Sequence, residues 1–63
     1  MNERDWWTVR AMEKMGGSFV KALAELAHRA DPINLGVIKR AWPEKWLEYE
    51  KTGIQFESEA QKK

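Results

Sequence analysis

The first half of the chain repeats apolar or small residues at intervals of three and four positions. The repeating residues are Val9, Met12, Gly16, Phe19, Leu23, Leu26, Ala27 and Ala30. This spacing places them on one face of an α-helix. Asn2 followed by Asp5 resembles a capping pair at a helix start. The pattern therefore predicts helical structure from about Asp5 to about Arg29.

Gly16, Gly17 and Ser18 interrupt this face, and two interpretations stay open. In one, a helix ends at Met15, the glycines form its C-cap and Ser18 caps a second helix. In the other, a single helix contains both glycines, each at a cost of about 1 kcal/mol relative to alanine. Because the apolar spacing keeps its phase across the glycines, the pattern favours one continuous or gently kinked helix.

Two prolines divide the second half of the chain. Asp31 is placed to cap a helix that begins at Pro32. Its apolar residues form two adjacent rows, which predict a well-buried helix: Ile33, Val37 and Ala41 in one, and Leu35, Ile38 and Trp42 in the other. Pro43 is placed to begin a last, short helix that reaches about Lys51, with Gly53 just beyond its end.

These elements predict an all-α fold, a small three-helix domain with a long or kinked N-terminal helix and shorter helices from Pro32 and Pro43. Residues 1–56 are expected to form the single helical domain and residues 57–63 a polar disordered tail. We expect the two later helices to fold back on the first. In that arrangement Trp42 or Trp46 would pack near Gly16 and Gly17.

Composition limits what can hold such a domain together. The chain has 63 residues and no cysteine, which excludes disulfides and thiolate metal sites. Four tryptophans supply large packing surfaces instead. A core of this size often needs a partner subunit, so the sequence leaves a homodimer open.

Charge and hydropathy indicate the setting. Eleven basic and ten acidic side chains leave a net charge of +1, too little for a strong field toward nucleic acid or anionic lipid. No apolar run is long enough for a membrane span or fits a signal peptide. We therefore expect a cytoplasmic protein with no membrane contact.

The residue types needed for catalysis are sparse. The one histidine, His28, has no second histidine or cysteine with which to hold a metal, and the end of a helix is its simpler place. Ser18 and Ser58 have no base at a recognisable spacing, and the carboxylates are scattered. We expect no enzyme activity, no metal and no cofactor.

The aromatic residues indicate protein binding. Trp6 and Trp7 are about 100° apart on a helix, so one small core is unlikely to bury both. Tryptophan is enriched in the residues that dominate protein interfaces. The sequence therefore predicts a protein-binding surface that includes Trp6, Trp7 and Tyr49. The alternative is that the C-terminal segment covers both tryptophans.

A nucleic-acid-binding function is the alternative to protein binding, and its candidate contacts are Lys21, Arg29, Lys39 and Arg40. The segment from Leu23 to Ile38 weakly resembles a helix-turn-helix. The turn lacks the expected glycine, and the second helix is mostly apolar. Solvated helix faces explain these charges more simply, so nucleic acid is the less favoured partner.

Several short motifs resemble uncharacterised proteins encoded in tailed phages, prophages and other bacterial mobile elements. The similarity covers about residues 12–50 and rests on Gly16-Gly17-Ser18-Phe19-Val20, Ala30-Asp31-Pro32, Asn34, Ala41-Trp42-Pro43-Glu44, Trp46 and Tyr49. The resemblance implies a bacterial or phage setting and an accessory role, and it carries no activity or site residues. The function expected first is a non-enzymatic protein–protein interaction module that modulates a bacterial host protein.

Overall fold

Four α-helices with connections of one or two residues form the fold in the computed structural model, which describes residues 1–62. They are α1 (Glu3–Met15), α2 (Ser18–Arg29), α3 (Pro32–Ala41) and α4 (Pro43–Ala60). The predicted all-α class is confirmed. The predicted count of three helices is wrong, because the long N-terminal helix is two helices.

The chain breaks at Gly16 and Gly17, so the favoured continuous helix is wrong. Both glycines have extended backbone, with ψ of 158° at Gly16 and −170° at Gly17. Gly17 is the N-cap of α2, and Ser18 is the first residue of that helix. A Cβ at Gly16 would lie 2.5 Å from Val20 Cγ1 and 2.6 Å from the Met12 carbonyl oxygen. The turn is therefore too tight for a side chain at this position. The apolar phase persists because α1 and α2 both face one core.

The predicted helix starts are confirmed. The backbone N–H of Asp5 donates to Asn2 Oδ1 at 2.7 Å, and that of Asn34 donates to Asp31 Oδ1 at 2.7 Å. Each side chain satisfies an N–H group that has no partner within its own helix. Pro32 and Pro43 occupy the first positions of α3 and α4, where proline has no hydrogen bond to lose.

The last helix is longer than expected, because Gly53 lies inside α4 and not after its end. Gly53 is buried against α1, and a Cβ there would lie 2.7 Å from the Trp7 carbonyl oxygen and 2.9 Å from the Thr8 nitrogen. The glycine serves a close helix–helix contact. Residues 57–60, expected in a disordered tail, form the last turn of α4.

The core draws on all four helices but unevenly. Its buried members are Val9, Met12, Val20, Leu23, Ala24, Ala27, Leu35, Ile38 and Trp46. Helix α1 packs most extensively against α4 and then against α2, whereas α3 makes only sparse contacts with α2 and α4. Of the two later helices expected to fold back on α1, α4 does so, whereas α3 reaches α1 through the Lys39–Asp5 ion pair.

Helix α3 is less buried than its apolar pattern predicted. Ile33 is 79% exposed and Val37 is 48% exposed, because the sparse contacts of α3 cover only the row that contains Leu35 and Ile38. The three atoms nearest to a Cβ built at Gly16 belong to Val20 and Met12 and not to Trp42 or Trp46. Within residues 1–62, no atom outside the immediate chain neighbours lies within 4 Å of a Cβ built at Gly17.

Trp42 packs against Phe19 instead. The two ring centroids are 5.8 Å apart with the planes inclined at 68°. Phe19 lies in the first turn of α2, so this edge-to-face contact connects the start of α2 to the junction of α3 and α4.

Candidate protein-binding cleft

An open cleft lies between α1 and the C-terminal part of α4. It has a volume of about 320 Å³ and is lined by Trp6, Trp7, Arg10, Lys14, Phe56, Glu59 and Ala60. Trp6, Arg10 and Lys14 follow one another at intervals of four along α1, so they form one row on its surface. Phe56, Glu59 and Ala60 lie within two turns of α4. The close contact at Gly53 fixes these two helix surfaces beside each other.

The two adjacent tryptophans have different surroundings. Trp6 is 45% exposed, whereas Trp7 is half-buried. Their rings meet edge to face, with centroids 4.9 Å apart and planes at 88°. The backbone of Trp7 is in contact with Gly53 of α4. Trp7 therefore supports the cleft wall, and Trp6 presents the accessible indole.

Two cations lie along the same edge. The guanidinium of Arg10 is 5.9 Å from the centroid of Trp6, a cation–π contact that holds it beside the exposed ring. Lys14 lies one turn further on. Among the residues that the structure describes, neither cation forms an ion pair within 4 Å, and Glu59 is the one carboxylate in the lining. The cleft therefore combines aromatic walls with a net charge of +1.

Tyr49, the third predicted contact residue, is not part of this cleft. It is half-buried and packs against the core cluster. The structure thus brings Trp6 and Trp7 together and places Tyr49 apart. Sequence reasoning missed Arg10 and Phe56 as cleft residues. Arg10 follows Trp6 by four positions, and this spacing was a usable signal. Phe56 could not be placed without knowing that α4 continues beyond Gly53.

The predicted nucleic-acid contacts are not equally available. Lys39 Nζ is 2.7 Å from Asp5 Oδ2, and the Asp5 side chain is almost fully buried. The same ammonium lies 5.3 Å from the Trp46 ring centroid. Lys39 therefore compensates a buried carboxylate and packs on a core indole, so its charge is used within the fold.

The other three candidates are more exposed. Arg29 pairs with Glu25 one turn away at 3.0 Å on an open surface. Lys21 and Arg40 are exposed and form no ion pair with any other residue of the range 1–62. The solvent side of α3, which a helix-turn-helix would present to DNA, carries Ile33 and Val37. Contacts to phosphates need cations and hydrogen-bond donors, of which the exposed ones on α3 are Arg40 and Asn34.

The remaining charged contacts have structural roles. His28 Nε2 is 2.9 Å from Glu13 Oε2, which connects the end of α2 to α1. At the start of α1, the carboxyl group of Glu3 lies beside that of Glu57 on α4. A hydrogen bond between them, followed by smaller contributions that include repulsion from Glu3, raises the pKa of Glu57 above its ordinary value of 4.5.

Comparisons with protein families, with characterised proteins and with solved structures found no significant match. Within residues 1–62, no helix has both the length and the apolar character needed to cross a bilayer. The chemistry of the site is therefore inferred from its own geometry.

Proposed function

We propose that the chain is a small, non-enzymatic protein-binding module that uses the cleft of Trp6, Trp7, Arg10 and Phe56. The observation that carries the proposal is a large exposed indole held beside an arginine that has no carboxylate partner among residues 1–62. Tryptophan and arginine are the side chains most enriched among residues that dominate binding energy. Trp7 and Gly53 hold the indole on rigid helices, which lowers the entropy lost on binding.

The cleft suits a particular kind of partner segment. Its volume of about 320 Å³ is at the lower end of ordinary ligand sites, enough for one or two side chains. The rings of Trp6 and Phe56 favour an aromatic or aliphatic side chain. The cations of Arg10 and Lys14 favour a neighbouring carboxylate. We infer a partner with an apolar residue beside an acidic one.

The biological setting follows from the resemblance of residues 12–50 to short proteins of tailed phages and mobile elements. On that basis we propose an accessory protein that modulates a protein of the bacterial host. A binding module of this kind needs no chemistry of its own, because occupying a site on a larger protein is sufficient to alter its activity.

Capture of binding proteins from a bacterial lysate tests the proposal. The immobilised chain is compared with Trp6→Ala, Arg10→Glu and the control Met15→Ala. Met15 is 64% exposed on α1 and lies outside the cleft lining. We expect at least one protein that the chain and the control retain and that both cleft variants lose. Titration of that purified protein should then show dissociation constants raised about tenfold or more by each cleft substitution.

The opposite result is equally clear. If every captured protein binds Trp6→Ala and Arg10→Glu as tightly as the unsubstituted chain, the cleft is not the contact surface. Trp6 and Arg10 are exposed and lie outside the core, so neither substitution should unfold the chain. Circular dichroism of each variant checks that its helical structure is retained.

A further inference from the structure

A second apolar groove lies on the opposite pair of helices, between α2 and α3. It has a volume of about 380 Å³, and its lining includes Leu26, Ala30, Val37, Ile38 and Trp42. Leu26 is 51% exposed and Val37 48% exposed. Side chains of this size, left open together on so short a chain, form a surface that a partner would cover.

The edges of this groove are basic. Arg29 is part of its lining, and Arg40 lies one helical turn after Val37. Lys45 Nζ lies 5.8 Å from the ring centroid of Phe19, which packs on Trp42 at the end of the groove. Residues 18–41 carry four basic and two acidic side chains, and Lys39 is compensated by Asp5 of α1, which leaves a net charge of +1 with His28 neutral.

The solvent side of α4 has the complementary character. Leu47 and Ile54 are both exposed and lie seven positions apart, on one line along the helix. Glu44, Glu48 and Glu50 lie within one turn of Leu47, and Lys51 is the one cation between the two apolar residues. These three glutamates and one lysine give the face a net charge of −2.

We propose that α4 of one copy of the chain docks, by the face containing Leu47 and Ile54, into the α2–α3 groove of a second copy. Charge decides between the ways of pairing these surfaces. Two grooves facing each other would bring together like charges of +1, and two α4 faces would bring together charges of −2. Only the mixed pairing is favourable for both apolar contact and charge.

Such docking closes into a dimer when each copy supplies both surfaces to the other, as twofold symmetry requires. A core as small as this one gains stability when a partner covers its open apolar side. Because the cleft of Trp6 and Phe56 belongs to neither surface, the dimer and the proposed partner binding are independent of each other.

Analytical ultracentrifugation between about 10 µM and about 1 mM chain tests the dimer. We expect association that weakens as salt is raised, because the charges of the two surfaces attract. Val37→Glu in the groove and Leu47→Glu on α4 should each raise the dissociation constant about tenfold or more. Met15→Glu adds the same charge at an exposed position outside both surfaces and should leave association unchanged.

A mixture of the two variants gives the most specific test of the pairing. A symmetric dimer of either variant has both docking contacts damaged, whereas a one-to-one complex of the two variants keeps one intact contact, between α4 of Val37→Glu and the groove of Leu47→Glu. An equal mixture should therefore associate more tightly than either variant alone. Trp6→Ala should associate like the unsubstituted chain, which separates this result from the cleft experiment.

Three outcomes would overturn the proposal: a chain that stays monomeric up to about 1 mM, a Leu47→Glu variant that associates normally, or a mixture that associates no more tightly than either variant alone. Normal association of Leu47→Glu together with loss in Val37→Glu would show that the groove meets something other than α4.

Discussion

The two pairs of helices in this molecule meet in different ways. Helices α1 and α4 approach so closely at Gly53 that the backbone of one contacts the backbone of the other. Helices α2 and α3 make only sparse contacts and leave a groove of about 380 Å³ between them. Both pairs contribute buried residues to the core, yet only the first brings backbone against backbone.

Helix separation therefore decides which apolar residues remain available. On the α4 side, glycine permits a small distance between axes and Trp46 is buried. On the α3 side, Ile33 and Val37 remain exposed although the sequence pattern is that of a buried helix. The closely packed pair also fixes Trp6 in its cleft, while the open pair exposes a groove. Both proposed binding surfaces, the Trp6 cleft and the α2–α3 groove, lie where apolar side chains extend beyond the small core.

The largest expected effect comes from a methyl group at Gly53. Gly53→Ala would place Cβ against the Trp7 carbonyl and force α1 and α4 apart, so we expect a loss of about 2–3 kcal/mol in the free energy of unfolding. Gly36→Ala is the matched control in α3, where only the flexible end of Arg40 lies near, at 3.4 Å. It should gain up to about 1 kcal/mol through helix propensity.

Urea unfolding followed by circular dichroism measures both variants. If Gly53→Ala proved as stable as the unsubstituted chain, the backbone contact between α1 and α4 would not be the tight one described here.

A smaller loss is expected at the ion pair that connects α3 to α1. Lys39→Met leaves the carboxylate of Asp5 buried without its partner, which should cost about 1–2 kcal/mol. Arg29→Met removes the exposed pair with Glu25 and should cost about 0.5 kcal/mol or less. Equal losses in thermal or urea unfolding would mean that the burial of Asp5 has no energetic consequence.

The two glycines between α1 and α2 should respond with opposite signs. Gly16→Ser has no room beside Val20 and should lose about 1 kcal/mol. Gly17→Ser has open space and lies at the N-cap of α2, which has no side-chain hydrogen bond. The hydroxyl of the introduced serine can accept a hydrogen bond from a free N–H of the first turn, so the free energy of unfolding should rise by about 0.3 kcal/mol. Losses of similar size in both unfolding curves would contradict the assigned turn geometry.

The smallest effect is a dependence on pH at the carboxyl pair of Glu3 and Glu57. Because the folded chain raises the pKa of Glu57, it binds a proton more readily than the unfolded chain. The contribution of Glu57 to the free energy of unfolding should therefore fall as pH rises from about 4.5 through the raised pKa of the folded chain. Glu57→Gln should remove that slope in unfolding curves measured across acidic pH. An unchanged slope would exclude the pair as its source.

The helix starts could be predicted because local chemistry determines them. Asn2, Asp31, Pro32 and Pro43 act through hydrogen bonds and torsions within their own turns, and each lies where the sequence predicted. The break at Gly16 was the less favoured of the two interpretations. Apolar periodicity reports that residues face one core, and two separate helices around that core preserve it.

The features that depend on distant contacts could not be predicted. Gly53 has the local pattern of a helix end, and only the approach of Trp7 explains why α4 continues past it. The exposure of Trp6 followed from the angle between adjacent residues, as expected. The cleft itself needed Phe56 from α4, and the α2–α3 groove needed the sparse packing of α3. Neither is encoded by spacing along the chain.

Native-state hydrogen exchange tests the contrast between the two helix pairs most directly, without any substitution. We predict that amides of α1 and α4 around Thr8, Met12 and Gly53 exchange only through global unfolding. Amides of α3 from Leu35 to Ala41 should exchange through smaller local openings with a clearly lower free energy. Protection in α3 equal to or greater than that in α1 would contradict a molecule with one closely packed and one open pair of helices.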